Sequence, residues 1–203
     1  MVHEQGEGEL DGTRRPLRAD ARRNRKRILA AAAEAFATRG LAVPIDLVAE
    51  RAGVGVGTLY RHFPTKEALF AAVVGQRVAA LAAALGAAGA GDDTGSTLFT
   101  CIELLAVEVV GNQDLLEALE AAGVDVTPEL AQALARLERE IDDLLRRAAA
   151  AGAVRADVSP EDVLGLVIGT CRGARQVGGG DERIRRLVSI VCEGLRTPGE
   201  RVL

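Results

Sequence analysis

The sequence predicts an all-α protein of about nine helices, on three observations. Apolar residues recur at the three- and four-residue intervals of a helix face, as in Leu130, Leu134, Leu137, Ile141, Leu144 and Leu145. Two segments carry the same helix-start signal, Thr127-Pro128-Glu129 and Ser159-Pro160-Glu161. Each offers a hydroxyl cap, a proline where the N–H has no partner, and an acid on the positive end of the helix dipole. No stretch alternates between apolar and polar residues as a strand does.

In chain order, residues 1–19 are rich in Gly and Glu, then carry Arg14, Arg15 and Arg18, and show no apolar periodicity. They are expected to form a disordered arm of the kind that adds phosphate or minor-groove contacts. A first helix is expected from Asp20, its cap, to Arg39, with Ile28, Leu29, Ala32, Ala35 and Phe36 on its inner face and Gly40 ending it. A second runs from Ile45 to Ala52, with Pro44 at its first position and Ile45, Val48, Ala49 and Ala52 on one face. Gly53 can take the left-handed conformation that ends a helix. A third spans Val56 to His62. Ala49 is small enough for the third helix to cross it, while Val54 and Leu59 fill the shared core. Two short helices joined by a glycine turn make a helix-turn-helix, whose second helix fits a DNA major groove. That helix offers Thr58, Tyr60, Arg61 and His62, whose side chains bond to phosphates or base edges. An ordinary helical hairpin is the plainer alternative.

Thr65 caps a fourth helix to about Leu85, with Lys66 in its first turn, where exposed N–H groups already favour a phosphate. Residues 86–95 read as a flexible connection. Ser96 caps a helix of about 97–110 and Asp114 a short one to about Ala122. The two start signals then open helices to about Ala151 and Val177. Asp181 caps a last helix to about Arg196, with Ile184, Leu187, Val188, Val191 and Leu195 on one face.

Charge divides the chain. The net charge is −4, yet residues 14–66 hold twelve Lys and Arg against four Asp and Glu, while residues 67–203 hold thirteen against twenty-one. A basic block coinciding with a helix-turn-helix points to a polyanion partner. No apolar run is expected to span a bilayer, and the acidic start MVHEQGEGEL does not read as a secretion signal, so a cytoplasmic protein is expected. Cys101, Cys171 and Cys192 form no CxxC pair and are expected to be buried structural thiols. No histidine follows His62, and no HExxH, GxSxG or P-loop motif occurs, so neither an enzyme, a metal nor a cofactor is expected.

GVGTLYRHFPTKEALF closely resembles the signature of the TetR family of transcriptional repressors, through Gly57-Thr58-Leu59-Tyr60, His62-Phe63 and Lys66-Glu67-Ala68-Leu69-Phe70. The upstream RRNRKRILAAAAEAFATRG resembles that family's first helix, with Ile28, Ala32, Phe36 and Gly40 in place. The resemblance covers about residues 20–75. Farther on, EDVLGLVIGTCRGA looks like the effector domain of the SbtR-like subgroup. The resemblance implies a helix-turn-helix DNA-binding domain at 20–66 and an effector-binding and dimerisation domain at 67–203. It implies DNA contacts from Thr58, Tyr60, Arg61 and His62, approach of Gly55 and Val56 to a thymine methyl or the backbone, and a phosphate on Lys66. It further implies backbone or minor-groove contacts from Arg22, Arg23, Arg25 and Lys26. Two departures bear on phosphate contacts at the turn. Val43 stands where a Thr or Ser cap is usual, and Gly55 where a Ser or Lys is common.

Gly165, Gly169 and Gly173 recur every four residues and so share a helix face that another helix can approach closely. With Ile184, Leu187, Val188, Val191 and Leu195 they are the expected two-fold interface of a homodimer, in agreement with the family's pairing through its last two helices. The family also encloses a small-molecule pocket, for which Phe99, Cys101, Ile102, Leu105, Val109, Leu119, Leu137 and Ile141 are the candidate walls. The function expected is a repressor released from a palindromic operator by a small-molecule effector. The alternative is a helix-turn-helix protein without such a ligand, controlled by a protein partner.

Overall fold

A computed structural model describes residues 11–39, 42–89, 94–111, 127–178 and 180–197. Among these are eight helices: α1 (Asp11–Arg39), α2 (Ile45–Ala52), α3 (Val56–His62), α4 (Lys66–Ala88), α5 (Thr94–Gly111), α6 (Pro128–Ala150), α7 (Pro160–Gln176) and α8 (Asp181–Leu195). The described residues hold no strand, only an isolated antiparallel bridge between Val154 and Arg196. The fold is all-α as expected. The short helix expected at about 114–122, with Leu119, lies outside the described residues.

The chain divides into two compact units, one ending at Val73 and the other starting at Val74. This boundary falls later than residue 66, because the start of α4 is core to the first unit. Leu69, Phe70 and Ala71 are fully buried, and the Phe70 ring meets Phe36 of α1 edge-on at 5.1 Å.

In the first unit, α1 begins at Asp11, so residues 11–19, expected in a disordered arm, are helical, and Asp20 is not the cap. Asp20 instead accepts a hydrogen bond from the Arg23 guanidinium one turn on, so the helix runs through it. Ile28, Leu29, Ala32, Ala35 and Phe36 form its buried face, as expected. In α2, Val48, Ala49 and Ala52 are buried and Ile45 half-buried. Pro44 occupies the cap position, one residue before the helix, and no side chain caps there. Gly53 ends α2 at φ 60°, ψ 41°, its N–H bonded to the carbonyls of Ala49 and Glu50.

In the second unit, α5 packs against α6, α7 and α8, and α7 against both α6 and α8. Leu98, Ile102, Leu105, Leu137, Ile141, Leu144, Val163, Val167, Ile184 and Val188 form one core. The start signals operate as read. Thr127 Oγ1 accepts from the Leu130 N–H at 3.3 Å, and Ser159 and Asp162 close a reciprocal capping box at 3.2 and 2.9 Å. Three expectations fail locally. Helix α5 begins at Thr94, so the expected cap Ser96 lies inside its first turn. Leu134 is exposed, Ala133 and Ala148 filling the inner face of α6 instead. Gly180, with no side-chain bond, caps α8, and Asp181 is its first helical residue.

The sequence suggested no membrane-spanning run, yet α4 is long and apolar enough to cross a bilayer, because its alanine-rich turns carry few charges. Ala82 and Leu85, in its second half, belong to the core of the second unit.

Candidate functional site

In the helix-turn-helix, Gly55 is the extended N-cap of α3, and its carbonyl accepts from the N–H groups of Thr58 (2.8 Å) and Leu59 (3.1 Å). Beyond the adjoining backbone, nothing lies within 4 Å of where a β-carbon would sit at Gly55 or Gly57, so this corner is bare backbone. Leu59 is the only fully buried residue of α3. Phe63, buried as expected, follows the helix, and its N–H closes on the Leu59 carbonyl at 2.9 Å. On the other faces, Tyr60 is 44% exposed, Arg61 exposed, and Val56, Thr58 and His62 half-buried. The helix thus has an anchoring side and an open side carrying one guanidinium, one phenol, one hydroxyl and one imidazole.

Thr65 caps α4 by accepting from the Ala68 N–H at 3.0 Å, which leaves Lys66 at the first helical position, three residues past Phe63. On α1, Arg22 and Lys26 are exposed at i,i+4 spacing. Arg23 pairs with Asp20. Arg25 is half-buried, its guanidinium carbon 5.1 Å from the centre of the Phe63 ring. Arg27, which the sequence did not single out, donates from Nη2 to the Gly53 carbonyl at 3.2 Å. Only its place in the basic run beside Ile28 hinted at such a role. Together α2 and α3 are electrically balanced, Asp46 and Glu50 against Arg51 and Arg61, so the positive field of this unit comes from α1.

In the second unit, the expected pocket walls are not brought together around a cavity. Cys101, Ile102, Leu105, Leu137 and Ile141 are packed core. Phe99 lies under the Arg196 guanidinium, 4.4 Å from the ring centre, and Val109 is half-buried against the core. Residues chosen for apolarity alone are those the core takes first. A cavity of about 570 Å³ does lie between α5 and α8. Ala106, Val107, Val110, Ile184 and Val188 make its apolar wall, and Glu103, Asp181 and Arg185 supply charge. Nothing in the sequence singled this cavity out, because its charges sit on faces that read as solvated.

The outward faces of α7 and α8 correct the expected dimer residues. Gly165, Gly169 and Gly173 are exposed with open space above them, and Leu166 and Ile190 are 43% and 57% exposed. Ile184, Val188 and Leu195 point inward, into the core, and Leu187 and Val191 lie half-buried at its edge. The apolar stripe of α8 serves its own unit first, leaving Ile190 and Gly194 on the open side.

All three cysteines are free and buried. Burial pushes the thiols of Cys101 and Cys171 up, and that of Cys192 up to about 11, with the Glu103 carboxylate adding to the effect. Such thiols are poor nucleophiles at neutral pH.

Comparison with known proteins agrees with this arrangement. Residues 28–73 match the family described as bacterial regulatory proteins, tetR family, and residues 93–197 the SbtR-like transcriptional regulator C-terminal domain. A TetR transcription regulatory protein from Mycobacterium vanbaalenii is 37% identical, with 90% of this chain and all of that one covered, at a TM-score of 0.66. A TetR transcriptional regulator from Streptomyces coelicolor is 29% identical over 86% of this chain and 99% of its own, at a TM-score of 0.64. The HTH-type transcriptional repressor KstR of Mycobacterium tuberculosis is 33% identical over 139 residues, which span 67% of this chain and 63% of the relative.

Proposed function

Because the chain belongs to the TetR family of bacterial regulatory proteins, we propose that it is a homodimeric transcriptional repressor that a small-molecule effector releases from a palindromic operator. One observation carries the DNA-binding part: α3 is anchored through Leu59 while Tyr60 and Arg61 face solvent beside Thr58 and His62. In this reading Thr58 and Arg61 touch base edges, and Tyr60, His62 and Lys66 hold phosphates. Gly55 and Val56 bring bare backbone and a small apolar side chain to the groove. Arg22 and Lys26 add charge along the DNA backbone, with Arg23 beside them.

A single seven-residue helix recognises too little for tight operator binding. Two copies related by a two-fold axis read two half-sites about 34–36 Å apart. The small-residue face of Gly165, Gly169 and Gly173, with Leu166 and Ile190, supports α7 and α8 as the pairing surface. The cavity between α5 and α8 is the place we assign to the effector. Its walls suit an apolar body and its rim a polar group. An effector that prefers one spacing of the two DNA-reading units over another shifts operator affinity by about 1–3 kcal/mol, and DNA weakens effector binding equally.

The test is binding of the purified protein to DNA upstream of its own gene and to a randomised duplex pool. A palindromic sequence preference is expected, with one dimer per site. Equal affinity for all duplexes refutes the repressor reading. A tight operator complex that no small molecule shifts, while a protein partner does, refutes the effector part alone.

A further inference from the structure

We infer that Arg25 and Arg27 brace the helix-turn-helix, fixing how α3 is presented, and that their charges are not spent on DNA phosphates. The inference rests on α3 being the DNA-reading helix. It starts from how weakly α3 is held. The helix has seven residues and a single buried side chain, and neither α2 nor α3 has a side-chain cap. Isolated helices of that length are not stable in water. Its position therefore depends on the chain just before and just after it.

Two arginines of α1, two residues apart, reach those two points. Arg27 Nη2 donates to the carbonyl of Gly53, the residue that turns the chain out of α2. The guanidinium of Arg25 lies over the ring of Phe63, the residue that ends α3. One contact sets the entry to the helix and the other its exit. Gly53 sits at a positive φ that disfavours any other residue, and a β-carbon there would lie 2.3 Å from Arg27 Nη2. Their neighbours are arranged differently. Arg27 is as exposed as Arg22 and Lys26, but those two, among the described residues, engage no such partner. The basic run of α1 thus separates into cations engaged with the reading head and cations that are not.

The test compares Arg25→Ala and Arg27→Ala with Lys26→Ala in the full-length protein, for operator DNA and for a random duplex, across a salt series. Lys26→Ala is expected to weaken both duplexes alike and lower the salt slope by about 0.9, as the loss of one phosphate contact does. Each arginine variant is expected to weaken operator binding roughly three- to tenfold, the range of one lost polar contact, with random-duplex affinity and salt slope unchanged. Arg27→Lys, which keeps a donor, should restore operator binding. Arg25→Lys, which loses the plane that lies on Phe63, should not. A readout without DNA accompanies these: hydrogen exchange of the Leu59 and Phe63 amides should speed up several-fold in both alanine variants while the melting curve holds. Unchanged exchange, or a slope change near 0.9 with discrimination intact, overturns the brace. Faster exchange in a protein that prefers no sequence leaves the brace standing and overturns the repressor reading.

Discussion

Leu59→Ala isolates the anchoring of α3. The leucine is fully buried, and it is the only such residue in a helix of seven. Truncating a buried leucine to alanine costs about 2.7–5 kcal/mol, the spread reflecting how far the site collapses. Most of that cost is expected as local opening, since α1 and α2 also pack on each other through Ile28, Phe36, Val48 and Ala49. Opening of α3 then becomes about 100-fold or more easier, at about 1.4 kcal/mol per factor of ten. Amide hydrogen exchange reads this directly. The Phe63 N–H, bonded to the Leu59 carbonyl, should lose about 100-fold in protection, while amides of α6 and α7 keep theirs. Operator affinity should fall with it, and Leu59→Met, which preserves volume, should cost under about 1.5 kcal/mol. Protection at Phe63 changing less than tenfold refutes the claim that one side chain anchors the helix.

Three further outcomes follow from the second unit. Burial pushes the Cys192 thiol up to about 11 in the folded chain from an ordinary 9.0, so the unfolded chain loses its proton first as pH rises. Stability should therefore decline between pH 9 and 11, by about 2–3 kcal/mol from this group, and level off above. Cys192→Ala should be less stable at pH 7 yet decline less in that window, and an identical decline contradicts the assignment. Gly169→Leu projects into open space in one subunit, so the fold should survive. Each added side chain overpacks the proposed seam by about 1–3 kcal/mol, so sedimentation should show a monomer, and an unchanged dimer removes α7 from the interface. Ser159→Ala removes one half of the capping box at α7 and should destabilise the C-terminal unit by about 0.5–2 kcal/mol in thermal unfolding. No shift in melting means that Asp162 alone holds that terminus.

What was legible from sequence was what local chemistry decides. Thr127, Ser159 and Thr65 act as caps within three residues of their partners, and Gly53 turns because few other residues can. Asp20 and Asp181 carried the same cap chemistry and were misread. A guanidinium one turn on took up Asp20, and a glycine one residue earlier made the cap before Asp181. Apolar stripes located helix faces but not their destinations. Ile184, Val188 and Leu195 look the same in sequence whether they meet their own core or a second copy, and Leu134 looks like its neighbours until Ala133 takes its place. The cavity was the least legible feature. Its walls come from α5 and α8, seventy residues or more apart in sequence, and its charges sit where sequence alone reads a solvated face.

Helix α8 is where the proposed input and the proposed pairing meet. Ile184, Arg185 and Val188 line the cavity from one side of it, while Ile190 and Gly194 lie on its open side. A ligand seated against Ile184, Arg185 and Val188 touches α8 directly, so one that fits a different setting of the helix stabilises that setting. In the proposed dimer, a shift of α8 displaces the pairing surface of both copies alike. Within the proposed function, the effector therefore needs no contact with the DNA-reading unit. It needs only to prefer one setting of α8, and the coupling is bounded by that preference.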